Sequence, residues 1–314
     1  MQWLSDAWWR RDLPRPVVAT IGNYDGVHCG QRAILDRLVG RARALELPAA
    51  VITFNPHPLT VVAPERAPRR LASKVQKRRE LESAGVDAVV EIRFDREFSR
   101  TGAEEFVRKF LHERLDVRAV VVGSQFTFGR EKGGQLSLLE RLGEELGFEA
   151  EGIAEVLHLD APVSSSRIRQ AVLAGDVALA AEMLGRPYAM RGTIVRGQRR
   201  GAVLEFPTIN LAPRQEVNPA RGVYIGEVQF DEGPPLPAVT NVGVRPTISE
   251  GGDLVVESHI LDFSRDVYGM DAEVSFLQRL RDEKQFESVE ALTQQIQLDT
   301  ERARRYFETR AADG

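Results

Sequence analysis

The apolar pattern of the chain changes near residue 186, and this change constrains the fold more than any other feature. Before it, short continuous apolar runs at 17–21, 50–54, 88–92 and 119–122 alternate with helical patterns. Continuous apolar strands that alternate with helices are typical of a parallel sheet covered on both faces. The first part of the chain is therefore predicted to be an α/β domain.

The second part of the chain has a different pattern. Beyond residue 186, short apolar segments are separated by Gly, Pro and Asn, at 192–195, 223–230, 237–242, 254–261 and 272–276. This spacing is typical of an antiparallel barrel or sandwich. A helical repeat of apolar residues over 288–307 predicts a terminal helix. We therefore predict two domains, over residues 1–185 and 186–314.

Composition excludes several classes of protein. The 314 residues are 43% hydrophobic and 28% charged with a net charge of −4, which fits a globular chain without an overall attraction to nucleic acid or anionic membranes. The single cysteine, Cys29, excludes an internal disulfide framework and an all-thiolate zinc site. The sequence has neither a membrane-spanning apolar run nor a signal-peptide pattern. We expect a cytoplasmic protein.

Two local features have both an ordinary and a functional interpretation. We expect the N-terminal tryptophans, Trp3, Trp8 and Trp9, to pack onto the body of the protein rather than to anchor it at a membrane. Seven basic residues lie between positions 66 and 79. A solvated loop and helix face explains them best, and a contact of one or two of them with a nucleotide phosphate is the alternative.

A glycine-dense turn follows the first predicted strand and precedes a helix. Its candidate ligand-binding residues are Gly22, Asn23, Tyr24, Asp25, His28, Gly30 and Gln31. Such a turn lets the backbone approach a phosphate, and the helix N-terminus supplies N–H donors. His28 could donate to that phosphate or stabilise charge during transfer. A tight turn with a structural histidine is the alternative interpretation.

Two later segments extend this candidate site. Gly123, Gln125, Phe126 and Phe128 follow the fourth predicted strand, where parallel sheets place their ligands. A helix ending near residue 175 opens with serines and arginines, namely Ser164, Ser165, Ser166, Arg167 and Arg169. Hydroxyls and arginines at a helix start form an anion site, although serines there are also ordinary caps.

Glycines in the second domain suggest a phosphate-binding loop. Gly192, Gly197 and Gly201 could curve a loop over phosphates and donate backbone N–H groups, although hairpin glycines are the alternative. The stretch lacks the Lys and Ser/Thr of a P-loop, so that interpretation is rejected.

Three polar residues of the second domain suit phosphate transfer to an alcohol. Thr208 and Asn210, just after Pro207, are two residues apart and present a hydroxyl and an amide oxygen on one side of an extended chain. Such a pair can ligate Mg²⁺. Glu257, on a strand with alternating polarity, could point into the mouth of a barrel as a general base. A capped turn and an edge-strand charge are the alternatives.

The combination of motifs resembles the prokaryotic bifunctional riboflavin kinase/FAD synthetase family. Residues 22–30 resemble the nucleotidyltransferase signature Gly-x-(Phe/Tyr)-Asp-Gly-Val-His-x-Gly, and residues 164–169 resemble its second half, Ser-Ser-x-x-Ile-Arg. Residues 206–210 and 241–247 are similar to the Phe-Pro-Thr-Ala-Asn and Asn-Ile-Gly-x-Arg-Pro-Thr segments of riboflavin kinases. The resemblance runs from about residue 18 to 299.

This resemblance implies a Rossmann-like nucleotidyltransferase domain, then a six-stranded antiparallel riboflavin-kinase barrel with a C-terminal helix. It implies that the second module phosphorylates riboflavin to FMN with ATP and Mg²⁺. The first module would adenylylate FMN to FAD with ATP and release pyrophosphate. Flavin contacts are implied in the first module at Asn55, Pro56, His57, Phe126 and Phe128, and in the second at Arg281, Glu283 and Phe286.

Some positions differ from the family pattern. Gln31 stands where the family has a second His, and Gln125 where it has Asp or Asn. Ala202 and Glu205 replace an Arg and a Gly of the second module. Because Gln31 cannot carry positive charge, an alternative stays open in which the chain is a riboflavin kinase only, with a degenerate first module.

Two other classes of function fit parts of the sequence. A different adenylyltransferase, acting on a pantetheine or nicotinate phosphate, fits the first module but has no use for the second. A nucleic-acid-binding barrel fits the basic stretch, but the acidic balance and the lack of stacking aromatics disfavour it. We expect small-molecule partners only, namely riboflavin, FMN and ATP, without nucleic acid, a membrane or an obligate protein partner.

Overall fold

A computed structural model describes residues 1–5, 15–196, 206–231, 233–245 and 253–312. The chain divides into two compact units, Met1–Ser164 and Ser165–Gly314. The second unit thus begins with two helices that precede the barrel. The domain boundary near residue 186, which follows the change in apolar pattern, stays a prediction.

The first unit is built on a six-stranded parallel sheet. Its strands are β1 (Gln2–Ser5), β2 (Val17–Ile21), β3 (Ala49–Asn55), β4 (Ala88–Arg93), β5 (Val117–Gly123) and β6 (Glu149–Ile153). They lie in the order β1-β4-β3-β2-β5-β6. The helices are α1 (Cys29–Ala44), α2 (Pro58–Val62), α3 (Lys74–Ser83), α4 (Ala103–Phe106) with its π-helical continuation Val107–Arg114, and α5 (Leu136–Leu146). A two-stranded ribbon, β7 (Leu157–His158) and β8 (Ala161–Pro162), follows.

Apolar residues cover both faces of this sheet. Every residue of β2 is buried. Val17, Ala19 and Ile21 belong to one hydrophobic cluster, and Val18 belongs to a second cluster on the other face. Because side chains alternate along a strand, a strand buried on both faces must be apolar throughout. This confirms the predicted parallel α/β fold.

The N-terminal strand β1 is an element that the sequence pattern did not predict. It pairs with β4 in parallel at the edge of the sheet. Trp3 packs against one of the two hydrophobic clusters, which confirms the packed interpretation for this residue. Trp8 and Trp9 lie outside the described residues.

The strand order reverses between β2 and β5. The chain proceeds from β2 to β3 and β4 in one direction, and β5 and β6 lie on the other side of β2. Ligands of open parallel sheets bind outside the carboxyl ends of the strands at such a reversal. The turn that contains His28 follows β2, and the segment with Gln125 follows β5. Both predicted segments therefore start at neighbouring strand ends.

The second unit is a closed antiparallel barrel with helices before and after it. Helices α6 (Ser165–Ala174) and α7 (Val177–Leu184) come first. The strands are β9 (Tyr188–Val195), β10 (Ile209–Pro213), β11 (Gly222–Phe230), β12 (Leu236–Arg245), β13 (Asp253–Ile260) and β14 (Asp271–Arg281), and helix α8 (Val289–Ala312) ends the chain. The barrel closes in the order β10-β13-β12-β11-β14-β9. This confirms the six-stranded barrel with a terminal helix.

Alternation along the strands separates the barrel interior from its outer face. Tyr224 and Phe276 are fully buried, and their rings meet edge to face at 5.4 Å. On the outer face, Ile225 and Val239 pack against Ala303 of α8. Within the described residues, no helix is both long enough and apolar enough to cross a membrane.

Candidate active sites

His28 begins helix α1 as its N-cap and is 6% exposed. Its Nδ1 accepts a hydrogen bond from the backbone N–H of Gln31 at 3.3 Å, and the side-chain oxygen of Gln31 accepts from the backbone N–H of His28 at 3.3 Å. The two residues thus form a reciprocal capping box, a role for which Gln is well suited at this position. With Nδ1 accepting, the neutral ring carries its proton on Nε2.

The capping box gives a testable structural role to Gln31, which stands where the family has a second His. Gln31→Leu is expected to lower the free energy of unfolding of the first unit by about 1 kcal/mol, because one orphan N–H loses its acceptor. Gln31→Glu keeps the capping box and serves as the control. Denaturant unfolding of both variants checks this, and equal stability of the Leu variant and the unchanged chain would contradict it.

Tyr24 fixes the turn from inside the protein. Its φ is 48°, its side chain is 2% exposed, and its hydroxyl lies 2.7 Å from Oγ1 of Thr20. Burial raises the pKa of this phenol. A Cβ on Gly22 would lie 3.1 Å from the Tyr24 ring. The tyrosine side chain thus supports the turn from the core.

Asp25 and Lys77 hold the turn in place. Asp25 contacts the segment that precedes α3, and Lys77 lies within α3 itself. The carboxylate of Asp25 accepts from the backbone N–H groups of Leu71 and Ala72 at 3.0 and 3.3 Å. The half-buried Lys77 donates from Nζ to the carbonyl oxygen of Asn23 at 2.6 Å and to Oγ1 of Thr53 at 2.8 Å. Lys77 belongs to the predicted solvated basic stretch, yet it is a structural clamp of the turn that precedes α1.

The segment after β3 reaches the same turn. Asn55 and Pro56 are exposed, and His57 caps helix α2 by accepting from the backbone N–H of Leu59 at 3.2 Å. The side-chain amide of Asn23 is hydrogen-bonded to Nε2 of His57 at 3.0 Å. A residue predicted to contact nucleotide and one predicted to contact flavin are therefore joined directly.

Aromatic rings gather beyond the ends of β3 and β5. The rings of Phe126 and Phe128 stack with their centroids 5.5 Å apart, and the ring centroids of Phe54 and Phe98 are 6.1 Å apart. Gly123 ends β5, and Gln125 is exposed. Phe128 is buried in the core, and the partly exposed rings of Phe54, Phe98 and Phe126 pack against that core.

The serine and arginine segment stands at the junction of the two units. Ser164 is the last residue of the first unit, and Ser165, Ser166 and Arg169 occupy the first turns of α6 in the second. The helix start agrees with the predicted one. Contact of these side chains with the nucleotide stays a prediction.

In the barrel, Glu257 lies in a row with two asparagines. On β13 it faces Asn210 of β10 and Asn241 of β12 as direct cross-strand partners. Directly opposed residues of an antiparallel pair share a face of the sheet. The neighbours Val256 and Ser258 are buried in the barrel interior, so the row lies on the outer face. The expectation that Glu257 points into the barrel mouth is thus replaced by an outer-face position.

The segment before Asn210 approaches this row. Nδ1 of His259 lies 3.0 Å from the carbonyl oxygen of Pro207. His259 and Glu257 are two residues apart on β13 and share a face, as do Thr208 and Asn210 on the neighbouring stretch. The strand register thus places Asn210 opposite Glu257, with Thr208 two residues before Asn210 along the chain.

The glycine loop is only partly described. Gly197 and Gly201 lie outside the described residues. Gly192 is buried within β9, and a Cβ there would clash with the carbonyl oxygen of Ala212. Close strand packing therefore accounts for this glycine, and its contact with phosphate stays a prediction.

Arg281 and the residues after it form a second group near the barrel. The Arg281 guanidinium pairs with Asp299 of α8 at 2.8 Å and lies 5.9 Å from the centre of the Phe286 ring. The carboxylate of Glu283 covers Gly243, next to the side-chain amide of Asn241. The predicted flavin-binding residues thus lie beside the row that contains Glu257.

The Arg281–Asp299 pair is nearly buried, with side chains 13% and 2% exposed. Asp299→Asn is expected to lower the free energy of unfolding by about 3 kcal/mol, because it leaves a buried guanidinium without its counter-charge. The matched control is Asp262→Asn, which removes an exposed pair with Arg304 and is expected to change stability little. Equal effects of the two substitutions in denaturant unfolding would contradict the prediction.

Three contributors were not singled out from the sequence. Lys77 carried a basic-stretch signal, and Asn241 was part of a motif without an assigned role. Asp299 gave no signal, because its importance arises from a contact with a residue 18 positions away.

A glycine-dense turn lies at the reversal of the parallel sheet, and a closed barrel with a carboxylate and two amides in a row follows in the chain. These two modules belong to the class of two-module nucleotide-dependent transferases. Comparison with known families agrees with each module. The family model for FAD synthetase matches residues 11–167, and that for riboflavin kinase matches residues 184–307.

Relatives that match over 92% of the chain are described as bifunctional enzymes. The bifunctional riboflavin kinase/FMN adenylyltransferase of Escherichia coli (strain K12) is 39% identical over 290 residues, covering 92% of each chain. That of Pseudomonas fluorescens is 40% identical over 291 residues, covering 92% of this chain and 93% of the relative. This chain belongs to the bifunctional riboflavin kinase/FMN adenylyltransferase family.

A solved structure has a similar fold over nearly the whole chain. It is a protein from Streptococcus pneumoniae described as a macrolide-efflux protein, with 29% sequence identity and a TM-score of 0.85. The likeness covers 94% of this chain and 96% of that one.

Proposed function

We propose that this chain makes FAD from riboflavin in two ATP-dependent steps. The barrel module phosphorylates riboflavin to FMN, and the parallel-sheet module transfers an adenylyl group to FMN and releases pyrophosphate. The presence of both family matches in one chain, each over its own module, carries this proposal. Nothing in the comparisons favours a chain that is a riboflavin kinase only, and Gln31 has a structural role at the helix start.

In the kinase step, Glu257 accepts the proton of the ribityl 5′-hydroxyl. The oxygen of that hydroxyl attacks the γ-phosphorus of ATP, and ADP leaves. Phosphoryl transfer depends mainly on positioning and charge stabilisation. Asn210 and Asn241 flank Glu257 in register as its direct cross-strand partners.

The oxygen donors beside Glu257 suit Mg²⁺. Mg²⁺ prefers oxygen ligands and usually takes only one or two from the protein, the rest coming from phosphates and water. Thr208 and the 9%-exposed Asn210 offer a hydroxyl and an amide oxygen. When bound there, the ion would neutralise charge on the phosphates. No group of three or more His, Cys, Asp or Glu side chains in the described part of the chain is arranged as a metal cage.

In the adenylyl step, a phosphate oxygen of FMN attacks the α-phosphorus of ATP. A phosphate monoester is largely ionised at neutral pH, so this step needs no general base. It needs donors and positive charge where the transferred phosphate gains charge. His28 through Nε2 and the backbone N–H groups at the start of α1 supply the donors in this proposal. The partly exposed ring of Phe126, stacked on the buried ring of Phe128, provides an apolar surface for the flavin in this proposal.

The test is to incubate the purified full chain with riboflavin, ATP and Mg²⁺ and to follow flavins by chromatography. FMN that is then converted to FAD is the expected result. FMN that accumulates without FAD would show a kinase with an inactive first module. No FMN would refute the kinase assignment. Because both steps consume ATP, we further propose that the enzyme works in the cytoplasm.

A further inference from the structure

A basic cleft lies between helix α8 and the barrel wall, and none of its lining residues lies on β13, the strand that carries Glu257. The cleft has a volume of about 630 Å³ and is formed by β11, β14 and the last turns of α8. Four arginines line it: Arg279, Arg302, Arg305 and Arg310. The chain as a whole carries a net charge of −4. The four arginines therefore form a positively charged patch on an otherwise mildly acidic protein.

The helical spacing brings the basic side chains to one face. Arg302, Arg305, Tyr306 and Thr309 of α8 stand at i, i+3, i+4 and i+7, which share one side of a helix. The neighbouring residue Ala303 packs against the barrel. One face of α8 is therefore used for packing, and the adjoining face presents cations and hydroxyls to the cleft.

Two of the four arginines have carboxylate partners, and two do not. Arg279 pairs with Asp282 at 2.9 Å, and Arg310 pairs with Glu227 at 3.3 Å. Among the described residues, neither Arg302 nor Arg305 has a carboxylate within 4 Å. Like charges three residues apart on a helix repel each other. An anion in the cleft would remove this repulsion.

The guanidinium of Arg279 is fixed by contacts with the backbone. Its guanidinium donates to the carbonyl oxygen of Arg221 at 2.8 Å and is held between Gly175 and Gly222. Its Nε is buried and has no hydrogen-bond partner in the described structure. A buried donor without an acceptor is uncommon in folded proteins. The backbone contacts therefore fix Arg279 beside the cleft, and its buried Nε faces Gly222 rather than a ligand in the cleft.

Apolar groups line the cleft beside the arginines. Ile225 and Leu280 line the cleft together with the ring of Tyr306. Guanidinium groups match phosphate oxygens in geometry, and a volume of this size suits a ligand larger than a single phosphate. We propose that this cleft is a separate binding site for a phosphorylated small molecule of nucleotide size, with its phosphate groups on Arg302 and Arg305.

Arginine footprinting tests the site without requiring catalysis. The full chain is treated with phenylglyoxal with and without ADP, FMN or inorganic pyrophosphate, and modified arginines are quantified by peptide mass spectrometry. We expect at least about threefold protection of Arg302 and Arg305, and none of Arg304, which is paired with Asp262 on the same helix. Protection by pyrophosphate as well as by nucleotides would identify phosphate groups as sufficient. Protection by ADP or FMN alone would identify a nucleotide ligand.

A pair of variants locates binding by stoichiometry. The double variant Arg302→Gln/Arg305→Gln is expected to bind one equivalent less of the protecting ligand at saturation in equilibrium dialysis. Arg304→Gln is the matched control and should keep the stoichiometry of the unchanged chain. Equal stoichiometry in the double variant, or no protection of Arg302 and Arg305 by any of the three probes, would overturn the proposal. Because neither readout depends on turnover, failure here is distinguishable from failure of the proposed function.

Discussion

Glu257→Gln is expected to reduce riboflavin phosphorylation by about a thousandfold, in the range by which positioned general bases accelerate reactions. Glutamine has nearly the same size as glutamate and can keep hydrogen bonds to neighbouring amides. It cannot accept the proton of the ribityl hydroxyl. Since Glu257 is half-buried on the outer face of β13, the change should leave the barrel folded. The measurement is the initial rate of FMN formation at saturating ATP.

The two-module chain provides an internal control for this variant. Adenylyl transfer to added FMN takes place in the other unit and should proceed at the rate of the unchanged chain. A variant that loses both activities would indicate misfolding, which circular dichroism and a thermal melt would detect. FMN formation at a near-normal rate would refute Glu257 as the base and reduce its role to positioning.

Lys77→Met is expected to lower the rate of adenylyl transfer by about a hundredfold, the size of effect seen when catalytic groups move by about 1 Å. The substitution keeps the apolar stem but removes the donors to the Asn23 carbonyl and to Oγ1 of Thr53. The turn that carries His28 would then lose one of its two clamps. The measurement is the rate of FAD formation from FMN and ATP.

The matched control is Lys74→Met on the same helix. Lys74 pairs with Glu91 at 2.8 Å and does not hold the turn, so its loss should affect FAD formation little. Kinase activity should be unchanged in both variants. Equal rates of FAD formation in the Lys77 and Lys74 variants would contradict the clamp.

The pH dependence of adenylyl transfer distinguishes the effect of the Lys77 charge from the effect of its packing. Burial lowers the pKa of Lys77 to about 8, so its charge is lost as pH rises through that value, and adenylyl transfer should decline above it. Lys77→Arg stays charged, and the decline in adenylyl transfer should move to higher pH.

The shifted pKa of Lys77 also affects stability. In the unfolded chain a lysine titrates near 10.4. Between about 8 and 10.4 the unfolded state binds more protons, so this group's contribution to the free energy of unfolding rises with pH.

The sequence predicted the main strands because their burial on both faces requires continuous apolar runs. The strand predicted at 17–21 coincides with β2, Val17–Ile21. Strand β1 escaped prediction because it is short and lies at an edge, where Gln2 and Ser5 are tolerated. Its partner β4 is more than 80 residues away. The residues around β1 therefore give no indication of this pairing.

The candidate sites were predictable to the extent that they are local. The capping position of His28 follows from a turn that precedes a helix, but the reciprocal bond to Gln31 depends on side-chain geometry. The row of Glu257, Asn210 and Asn241 depends on strand register. The counter-charge of Arg281 comes from the terminal helix. Such long-range pairs are set by packing and cannot be read from spacing along the chain.

The register of β13 in the closed barrel links folding fidelity to the kinase reaction. A slip of one residue against β10 and β12 would turn Glu257 toward the interior and bring Val256 or Ser258 to the outer face. A closed barrel has no open edge at which one strand can shift independently of both neighbours. Kinase activity recovered after refolding therefore counts the molecules that have closed in the correct alignment, which circular dichroism cannot distinguish from slipped ones.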